Sequence, residues 1–499
     1  MTITAPDIAA SRPSLLFGGA SSFLEKKLAL ALLSIFALGL RLHHLSTKSI
    51  WTDEAFSVQM ARLSWSDFAF LIKHQEPNMA AYYLLLRFWT LFGIGEGFVR
   101  GLSVLFSVLT VPLLYLLGKR LFGETAGLLA AGLLAVNAYH IRYAQEARSY
   151  AMLIFLIVLA TWILVRNLQE PAAHWGWYTA VCLLAVYTHF FAVFFLAVHL
   201  VALIYIRRIP PLRYALLFIL FTVPLGFAIR TASPIQWIPA LQASMVLGFF
   251  SGIAGNGGMY LLAIEAVAIA SAVWYGRNFG YFLTLSWLFV PVLLTLGISL
   301  LQPCFLARYL SPCLPAMVLL IAAGITRLTR LPAALLASTI LVLSTLGTLS
   351  YYKKDFDLYR GDWRTASSFI LDRTQAGDDL YYVTFSAAPL EYYKMLRNTS
   401  WPRSIAPRRD LLLRTSIGEE LSNSRTPGNR VWLVLDGEGR TNAMLRAYFG
   451  KGRRIVEEQS FSDSIHAILF VSRAQCEATS TACSAQAQNG QPPVSTDKP

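Results

Sequence analysis

The sequence predicts a polytopic α-helical membrane protein with a small soluble α/β domain at its C-terminal end. Three observations predict this fold class. Apolar residues make up 56% of the 499 residues and charged residues only 14%, whereas soluble domains have about 25% charged residues. Apolar runs of spanning length recur between residues 25 and 350. From residue 351 onward charged residues become frequent, which indicates that a soluble domain begins there.

The positive charge is spread along the chain. The formal net charge is +14 at pH 7, but the arginines and lysines stand at the ends of apolar runs and do not form a basic domain. This pattern is typical of residues that fix membrane topology and argues against a nucleic-acid partner. The five cysteines lack metal-ligand spacing, so no structural zinc site is expected. Cys304 with Cys313, or Cys476 with Cys483, could bridge in an oxidising compartment, although unpaired thiols are the simpler interpretation.

The first apolar run, residues 28–42, sets the orientation of the chain. Lys26 and Lys27 precede this run, which predicts that the N-terminal segment 1–24 is cytoplasmic and that Asp53 lies outside. No cleavage-site pattern follows an apolar core closely, so we expect a retained first span and not a removed signal peptide.

Segment 79–92 decides the topology of the later spans. It is apolar but shorter than the roughly 20 residues that a span needs, and Arg87 lies in its middle. We predict that it is an interfacial helix with its Tyr, Trp and Arg side chains at headgroup level. This gives about eleven spans. The predicted spans are residues 28–42, 98–119, 125–140, 148–166, 174–188, 189–206, 211–230, 258–276, 279–300, 308–326 and 332–350.

The basic residues support this topology, because it places all of their clusters on the cytoplasmic side. An odd number of spans then puts the C-terminal part of the chain outside. The clusters are Lys119 and Arg120, Arg166, Arg207 with Arg208 and Arg213, Arg277, and Arg327 with Arg330.

The C-terminal part of the chain is predicted to be a small α/β domain followed by a tail. Residues 1–24 form the cytoplasmic segment, 25–350 the membrane domain, 351–473 the extracytoplasmic α/β domain, and 474–499 a disordered tail rich in Ser, Thr, Ala, Gln and Pro. The predicted elements of the α/β domain are helices at 362–375, 388–397 and 441–449, and strands at 379–385, 430–435, 454–461 and 464–472.

Two adjacent acids, Asp53 and Glu54, follow the first span by a short loop. They could be helix N-terminal acids, which a Thr-Asp-Glu sequence before an apolar run favours. Alternatively, Asp53 is a general base that acts on the hydroxyl of a sugar acceptor. Glu54 would then orient Asp53 or bind a divalent cation (Mg, Mn or Zn) together with Glu76. His74, close to Glu76 in the sequence, is a second candidate metal ligand.

Further polar residues fall on the same predicted side of the membrane. Arg142, Arg148 and Arg308 either extend to lipid headgroups or bind a lipid-linked phosphate through their paired guanidinium donors. Glu146 could pair with one of these arginines. Polar groups at membrane depth are candidates for function. The candidate substrate-binding residues are Glu76, Gln145, Glu146, His189 and Tyr309.

Five sequence runs together resemble the polyprenyl-phosphate-sugar-dependent glycosyltransferases of the GT-C type. The resemblance is stronger to the bacterial branch of glycosyltransferase family 39, which includes protein mannosyltransferase-like enzymes and the aminoarabinose transferases of lipid A. It covers roughly residues 25–350. The runs are W-T-D-E-A-F-S, H-Q-E-P-N-M-A-A-Y-Y-L-L-L-R-F-W, L-Y-L-L-G-K-R-L-F-G, R-Y-A-Q-E-A-R-S-Y and A-R-Y-L-S-P-C-L-P-A.

The resemblance implies an inverting sugar transfer on the outer face of a bacterial inner membrane. It implies that Asp53 serves the acceptor, and that the donor is a polyprenyl-phosphate-linked sugar whose tail lies among the membrane lipids. The acceptor would be a lipid, glycan or protein hydroxyl. This sequence departs from the family at residues 77–80, Pro-Asn-Met-Ala, where many relatives have consecutive prolines. The C-terminal domain matches no catalytic motif.

Two other functions fit a chain of this composition. A transporter or flippase for lipid-linked sugars would also need many spans and a polar cavity, but it predicts repeated halves with broken helices, which the sequence lacks. An interaction protein anchored by its membrane part would not need about eleven spans with polar external corners. No nucleotide-binding G-x-x-x-x-G-K-[ST] motif is present in the sequence.

Overall fold

The computed structural model describes residues 23–74, 76–170, 174–208, 211–231, 238–353, 361–382, 387–405, 426–437, 440–461 and 464–478. The chain divides into two compact units. The first comprises Met1–Thr47 and Met60–Phe356, and the second comprises Lys48–Gln59 and Asp357–Pro499. The predicted cytoplasmic segment 1–24 lies almost entirely outside the described residues.

The first unit is helical throughout its described part. Its helices are α1 (Phe23–Leu42), α2 (Thr52–Arg62, of which the part from Met60 belongs to this unit), α3 (Trp65–His74), α4 (Ala80–Trp89), α5 (Glu96–Phe122), α6 (Glu124–Val136), α7 (Ala138–Ala144), α8 (Tyr150–Gln169), α9 (Trp175–Thr188), α10 (Ala192–Tyr205), α11 (Leu212–Thr231), α12 (Ala243–Ile253), α13 (Gly258–Tyr275), α14 (Phe279–Ser299), a 3₁₀ turn (Ala307–Leu310), α15 (Cys313–Ile325) and α16 (Arg330–Lys353).

The predicted membrane class is confirmed by these helices, since each predicted span contains one. Among the described residues, α5, α8, α13, α14 and α16 are long and apolar enough to cross a bilayer. The count of about eleven spans stays a prediction. One boundary is wrong: the span expected over 125–140 is two helices. Asn137 interrupts it, because its side chain accepts a hydrogen bond from the backbone N–H of His140 (3.0 Å) and caps a new helix.

Segment 79–92 contains one short helix, α4. Ten residues of helix extend only about 15 Å, half the thickness of a bilayer core. Arg87 is held by contacts within the protein, and its expected position at headgroup level stays a prediction. Its guanidinium donates to the carbonyl of Leu63 at 2.7 Å and lies over the ring of Trp65, 3.9 Å from the ring centroid. The apolar run therefore tolerates an arginine because neighbouring residues supply its partners.

Ion pairs join several basic residues that the sequence places on the cytoplasmic side. Lys26 pairs with Glu124 at 3.1 Å. Arg120, at the end of α5, and Arg166, near the end of α8, both contact Glu170, each at 2.7 Å. These pairs bring together the same ends of α5 and α8, as the charge-based topology requires.

The second unit contains a five-stranded mixed sheet. The strands are β1 (Asp379–Tyr382), β2 (Arg403–Ser404), β3 (Arg430–Asp436), β4 (Arg453–Phe461) and β5 (Ile465–Ser472), and the helices are α17 (Trp363–Arg373), α18 (Ala387–Leu396), α19 (Arg440–Gly450) and α20 (Arg473–Ala478). The strand order is β2-β1-β3-β5-β4. Strand β1 pairs in parallel with β2 and β3, whereas β5 is antiparallel to β3 and β4. Strand β3 is central, and five of its seven residues are buried, as expected for a central apolar strand.

All the helices and strands predicted for this domain are present, with small changes at their ends. The last residues of the strand expected over 379–385 lie outside the described residues. Helix α20 includes the first residues of the predicted disordered tail, and residues 479–499 of that tail are not described. Among the described cysteines, Cys182, Cys304 and Cys313 are free, whereas Cys476 is disulfide-bonded.

Candidate functional site

Asp53 and Glu54 lie in the first turn of α2, where the helix dipole favours acids. Their environments differ. Glu54 is fully buried, and its Oε2 accepts a long hydrogen bond of 3.5 Å from the backbone N–H of Trp51, as in a capping box. Asp53 is partly exposed, and its backbone carbonyl accepts from the Ser57 hydroxyl at 2.9 Å. The structure therefore separates a partly exposed carboxylate from a buried carboxylate that caps the helix.

His189 lies at the centre of a polar cluster in the first unit. It occupies the turn between α9 and α10 and is only 1% exposed. Arg148 and Arg308 lie close enough to act on the imidazole through their positive charges. We name His189, Arg148, Arg308, Tyr150 and Tyr309 the His189 cluster.

The hydrogen bonds of His189 define which ring nitrogen carries the proton. Nδ1 accepts from the backbone N–H of Phe191 at 3.3 Å, so the proton of the neutral ring is assigned to Nε2. Within the described residues, the buried Nε2 of His189 and the buried hydroxyl of Tyr150 make no hydrogen bond. Buried donors in native proteins nearly always have a partner. The cluster thus offers two donors to an oxygen-rich ligand.

Aromatic rings form the walls of the cluster. The His189 ring centroid is 4.7 Å from that of Tyr309 and 6.0 Å from that of Tyr150. The row continues from Tyr150 to Tyr143 (5.1 Å) and from Tyr143 to Tyr139 (4.7 Å). Such a wall lowers the local dielectric, which strengthens every charge interaction inside the cluster.

The loop before α4 supports the His189 turn. Asn78 Oδ1 accepts a hydrogen bond from the backbone N–H of Phe190 at 3.1 Å. The Arg148 guanidinium makes a long contact of 3.5 Å with the Tyr83 hydroxyl on α4. Residues 77–80, where the sequence departs from the GT-C family, therefore include a residue that fixes the backbone next to His189.

Two predicted substrate-binding residues have partners within the protein. Glu146 is 2% exposed and pairs with Arg142, with 3.6 Å between Oε1 and Nε. The Gln145 side chain donates to the carbonyls of Arg41 (2.9 Å) and His43 (2.7 Å), and accepts from the Tyr351 hydroxyl (3.0 Å). These contacts give Gln145 a structural role and neutralise part of the Arg142 charge.

The predicted metal ligands do not form a site in the described residues. His74 is exposed at the end of α3, and its Nδ1 lies 2.9 Å from the carbonyl oxygen of Phe70. Glu76 follows in the loop, where its backbone N–H donates to the carbonyl of Leu71 at 2.9 Å. No group of three or more His, Cys, Asp or Glu residues in the described part of the chain could hold a metal ion.

The sequence missed the contributions of Tyr150 and Asn78. Tyr150 is the last residue of the R-Y-A-Q-E-A-R-S-Y run, two positions after Arg148, but a tyrosine at the start of an apolar helix is common at membrane interfaces. Asn78 stands out only as a departure from the family pattern. The hydrogen bond between Asn78 and the His189 turn joins residues that are more than a hundred positions apart in the chain. A local sequence pattern cannot reveal such a contact.

Comparison with known proteins finds a family model that matches part of this chain. Residues 75–228 match the family model of the dolichyl-phosphate-mannose-protein mannosyltransferases. This range includes Arg148, Tyr150 and His189. No curated protein sequence is similar enough to the chain to count as a match.

The fold is similar to that of solved glycosyltransferases. ArnT from Cupriavidus metallidurans, in the apo state, has 13% sequence identity and a TM-score of 0.62, with 88% of this chain and 97% of that chain covered. The values are the same for ArnT bound to undecaprenyl phosphate. The Archaeoglobus fulgidus oligosaccharyltransferase in complex with Zn and sulfate has 11% identity and a TM-score of 0.50, covering 81% of this chain and 67% of that chain.

These matches confirm the predicted resemblance to GT-C glycosyltransferases. The resemblance extends to the fold over most of the chain and to the family model over residues 75–228. The family model supports the predicted enzyme class, a glycosyltransferase that uses a polyprenyl-phosphate-linked sugar.

Proposed function

We propose that this chain is an inverting glycosyltransferase that moves a sugar from a polyprenyl-phosphate donor to an acceptor hydroxyl. The observation that carries the proposal is the His189 cluster. Two arginine charges converge on a buried imidazole whose Nε2 makes no hydrogen bond in the described residues. This arrangement is suited to an anion, because both the charges and the donors favour phosphate oxygens.

The donor phosphate is assigned to the His189 cluster. Arg148 and Arg308 supply charge, while His189 Nε2 and the Tyr150 hydroxyl supply directed hydrogen bonds. The structural match to ArnT bound to undecaprenyl phosphate supports a polyprenyl-phosphate ligand of this fold. Arg142 contributes less in this proposal, since it pairs with Glu146.

The acceptor side is assigned to Asp53. Its carboxylate is partly exposed, which a general base requires in order to reach a substrate proton. Glu54 is not expected to exchange protons with the substrate, because its carboxylate is buried and caps α2. Its role is to hold the first turn of that helix.

The reaction is a single displacement. The Asp53 carboxylate removes the proton of the acceptor hydroxyl, and the acceptor oxygen attacks the anomeric carbon. The bond between that carbon and the phosphate oxygen breaks, so polyprenyl phosphate leaves with the bonding electrons. The growing negative charge on the phosphate is stabilised by Arg148, Arg308 and the two neutral donors. One displacement inverts the anomeric configuration, and no nucleophilic carboxylate is needed.

The protein is an integral membrane protein, and we propose that its C-terminal domain lies on the extracytoplasmic side of a bacterial inner membrane. The basic residues at the ends of α5 and α8 support this orientation. The disulfide at Cys476 supports it independently, because disulfides persist in oxidising compartments. Alkaline phosphatase fused after Pro499 is expected to be active in cells, whereas activity only of a cytoplasmic reporter at the same position would overturn the orientation.

The substitution Asp53→Asn tests the proposed reaction. Purified full-length protein is incubated with a panel of undecaprenyl-phosphate-linked hexoses and pentoses and with lipid, glycan and peptide acceptors. We expect Asp53→Asn to lower kcat by about a hundredfold or more, as for the loss of a general base. The donor KM is expected to change little, since Asp53 does not hold the phosphate.

Asp67→Asn is the matched control. Asp67 lies in the first turn of α3, where its carboxylate accepts from the Ser64 hydroxyl at 2.8 Å. It is an acid at a helix start in the same external loop, and we expect its amide variant to retain wild-type turnover. Wild-type turnover by Asp53→Asn would refute the role of Asp53 as the base.

A further inference from the structure

Residues Lys48–Gln59, which we name the Asp53 segment, belong to the same compact unit as the C-terminal domain. Hydrogen bonds hold its start. The Tyr393 hydroxyl accepts from the backbone N–H of Ile50 at 3.2 Å and lies 3.3 Å from the Ser49 hydroxyl. The backbone N–H of Arg364 donates to the same Ser49 oxygen at 3.0 Å. The Arg364 guanidinium donates to the carbonyl of Lys48 at 3.2 Å.

The other end of the Asp53 segment is held as well. Gln59 donates from Nε2 to the carbonyl of Ala388 at 3.1 Å. Between the two ends, Ile50, Ala55 and Val58 are fully buried. The segment is therefore fastened on both sides of Asp53.

The residues that hold the segment lie on two helices of the C-terminal domain. Tyr393 and Ala388 belong to α18, and Arg364 belongs to α17. Helix α18 is tied to the central sheet, because the Tyr382 hydroxyl on β1 donates to Glu391 at 3.0 Å. Side chains on rigid elements hold a site more precisely than side chains on loops.

We propose that the C-terminal domain positions the catalytic carboxylate, with Tyr393 as the principal positioning residue. This inference rests on the proposed function, because it assumes that Asp53 is the base. The Tyr393 hydroxyl fixes the backbone three residues before Asp53, at the point where α2 begins. The domain thereby restricts the conformations of the external loop and fixes the backbone where it enters α2.

A positioning role predicts a specific kinetic effect. A misplacement of about 1 Å at a reacting group can cost about a hundredfold in rate, and a single lost hydrogen bond permits part of that movement. Tyr393 does not touch the donor in this proposal. Its loss should therefore lower kcat and leave the donor KM unchanged.

Amide hydrogen exchange of the full-length protein tests the physical part of the proposal without any substrate. Tyr393→Phe keeps the buried ring and removes only the hydroxyl. We expect peptides that cover Lys48–Gln59 to exchange about tenfold faster in this variant. Tyr448→Phe is the control, since Tyr448 is 40% exposed on α19 and packs its ring against Phe449. Unchanged exchange in Tyr393→Phe would overturn the proposal.

Steady-state kinetics test the functional part, with whichever undecaprenyl-phosphate sugar the wild-type protein turns over. We expect Tyr393→Phe to lower kcat about tenfold at unchanged donor KM. In an Asp53→Glu background, where the longer side chain already displaces the carboxylate, the same change should cost less than about twofold. Equal losses in both backgrounds, or an increase in KM, would show a general structural effect and overturn the proposal.

The two proposals fail in different ways. Wild-type turnover by Asp53→Asn would refute the assignment of Asp53 as the base, and the positioning role of Tyr393 would be refuted with it. Faster exchange in Tyr393→Phe would still show that Tyr393 holds the Asp53 segment. If Asp53→Asn is inactive but Tyr393→Phe has normal exchange and normal kcat, only the positioning role is refuted.

Discussion

The arginines at the two ends of α8 have different neighbours. At its C-terminal end, Arg166 and Arg120 both bind Glu170 at 2.7 Å, and these hydrogen bonds lower the pKa of that carboxyl. At its N-terminal end, the charges of Arg148 and Arg308 act on the buried ring of His189. The first end joins arginines to an acid, whereas the second places them beside an imidazole.

We propose that this difference separates arginines that fix topology from arginines that bind a ligand. A carboxylate between two guanidinium groups neutralises much of their field, and such half-exposed pairs contribute little to stability. An anion gains most from the second arrangement, because there it meets the field within a buried, aromatic-walled cluster.

The largest effect is expected from the arginines of the His189 cluster. Arg308→Gln or Arg148→Gln should raise the donor KM by about ten- to a hundredfold, since a charge-assisted hydrogen bond contributes about 1.5–3 kcal/mol. Arg120→Gln, at the other end of α8, should leave KM within about twofold. Initial rates at varied concentrations of an undecaprenyl-phosphate-linked sugar measure these values.

The proposed difference between the two ends of α8 would be refuted if Arg120→Gln impaired donor binding as much as Arg308→Gln. The measurement requires equal folding of the variants, so their melting temperatures and elution volumes are compared first. A loss confined to the His189 cluster would show that the field at that end, and not the total positive charge of the protein, binds the donor.

The sequence predicts the helices and the sheet well, because their signals are local. Apolar runs of spanning length and alternating strands fall where the structure has them, and the shortness of segment 79–92 agrees with the short helix α4. The break at Asn137 was missed, since an asparagine within an apolar run reveals its capping role only through its bond to the N–H of His140.

Site residues are harder to predict, because a buried polar side chain has the same sequence signal whether it binds a ligand or the protein. Gln145 and His189 both stand out as polar groups among apolar residues. Their contacts differ in the structure, since Gln145 bonds to two carbonyls and a tyrosine, whereas His189 Nε2 makes no hydrogen bond within the described residues. The grouping of Lys48–Gln59 with the C-terminal domain depends on contacts more than 300 residues apart in the chain, which no local pattern encodes.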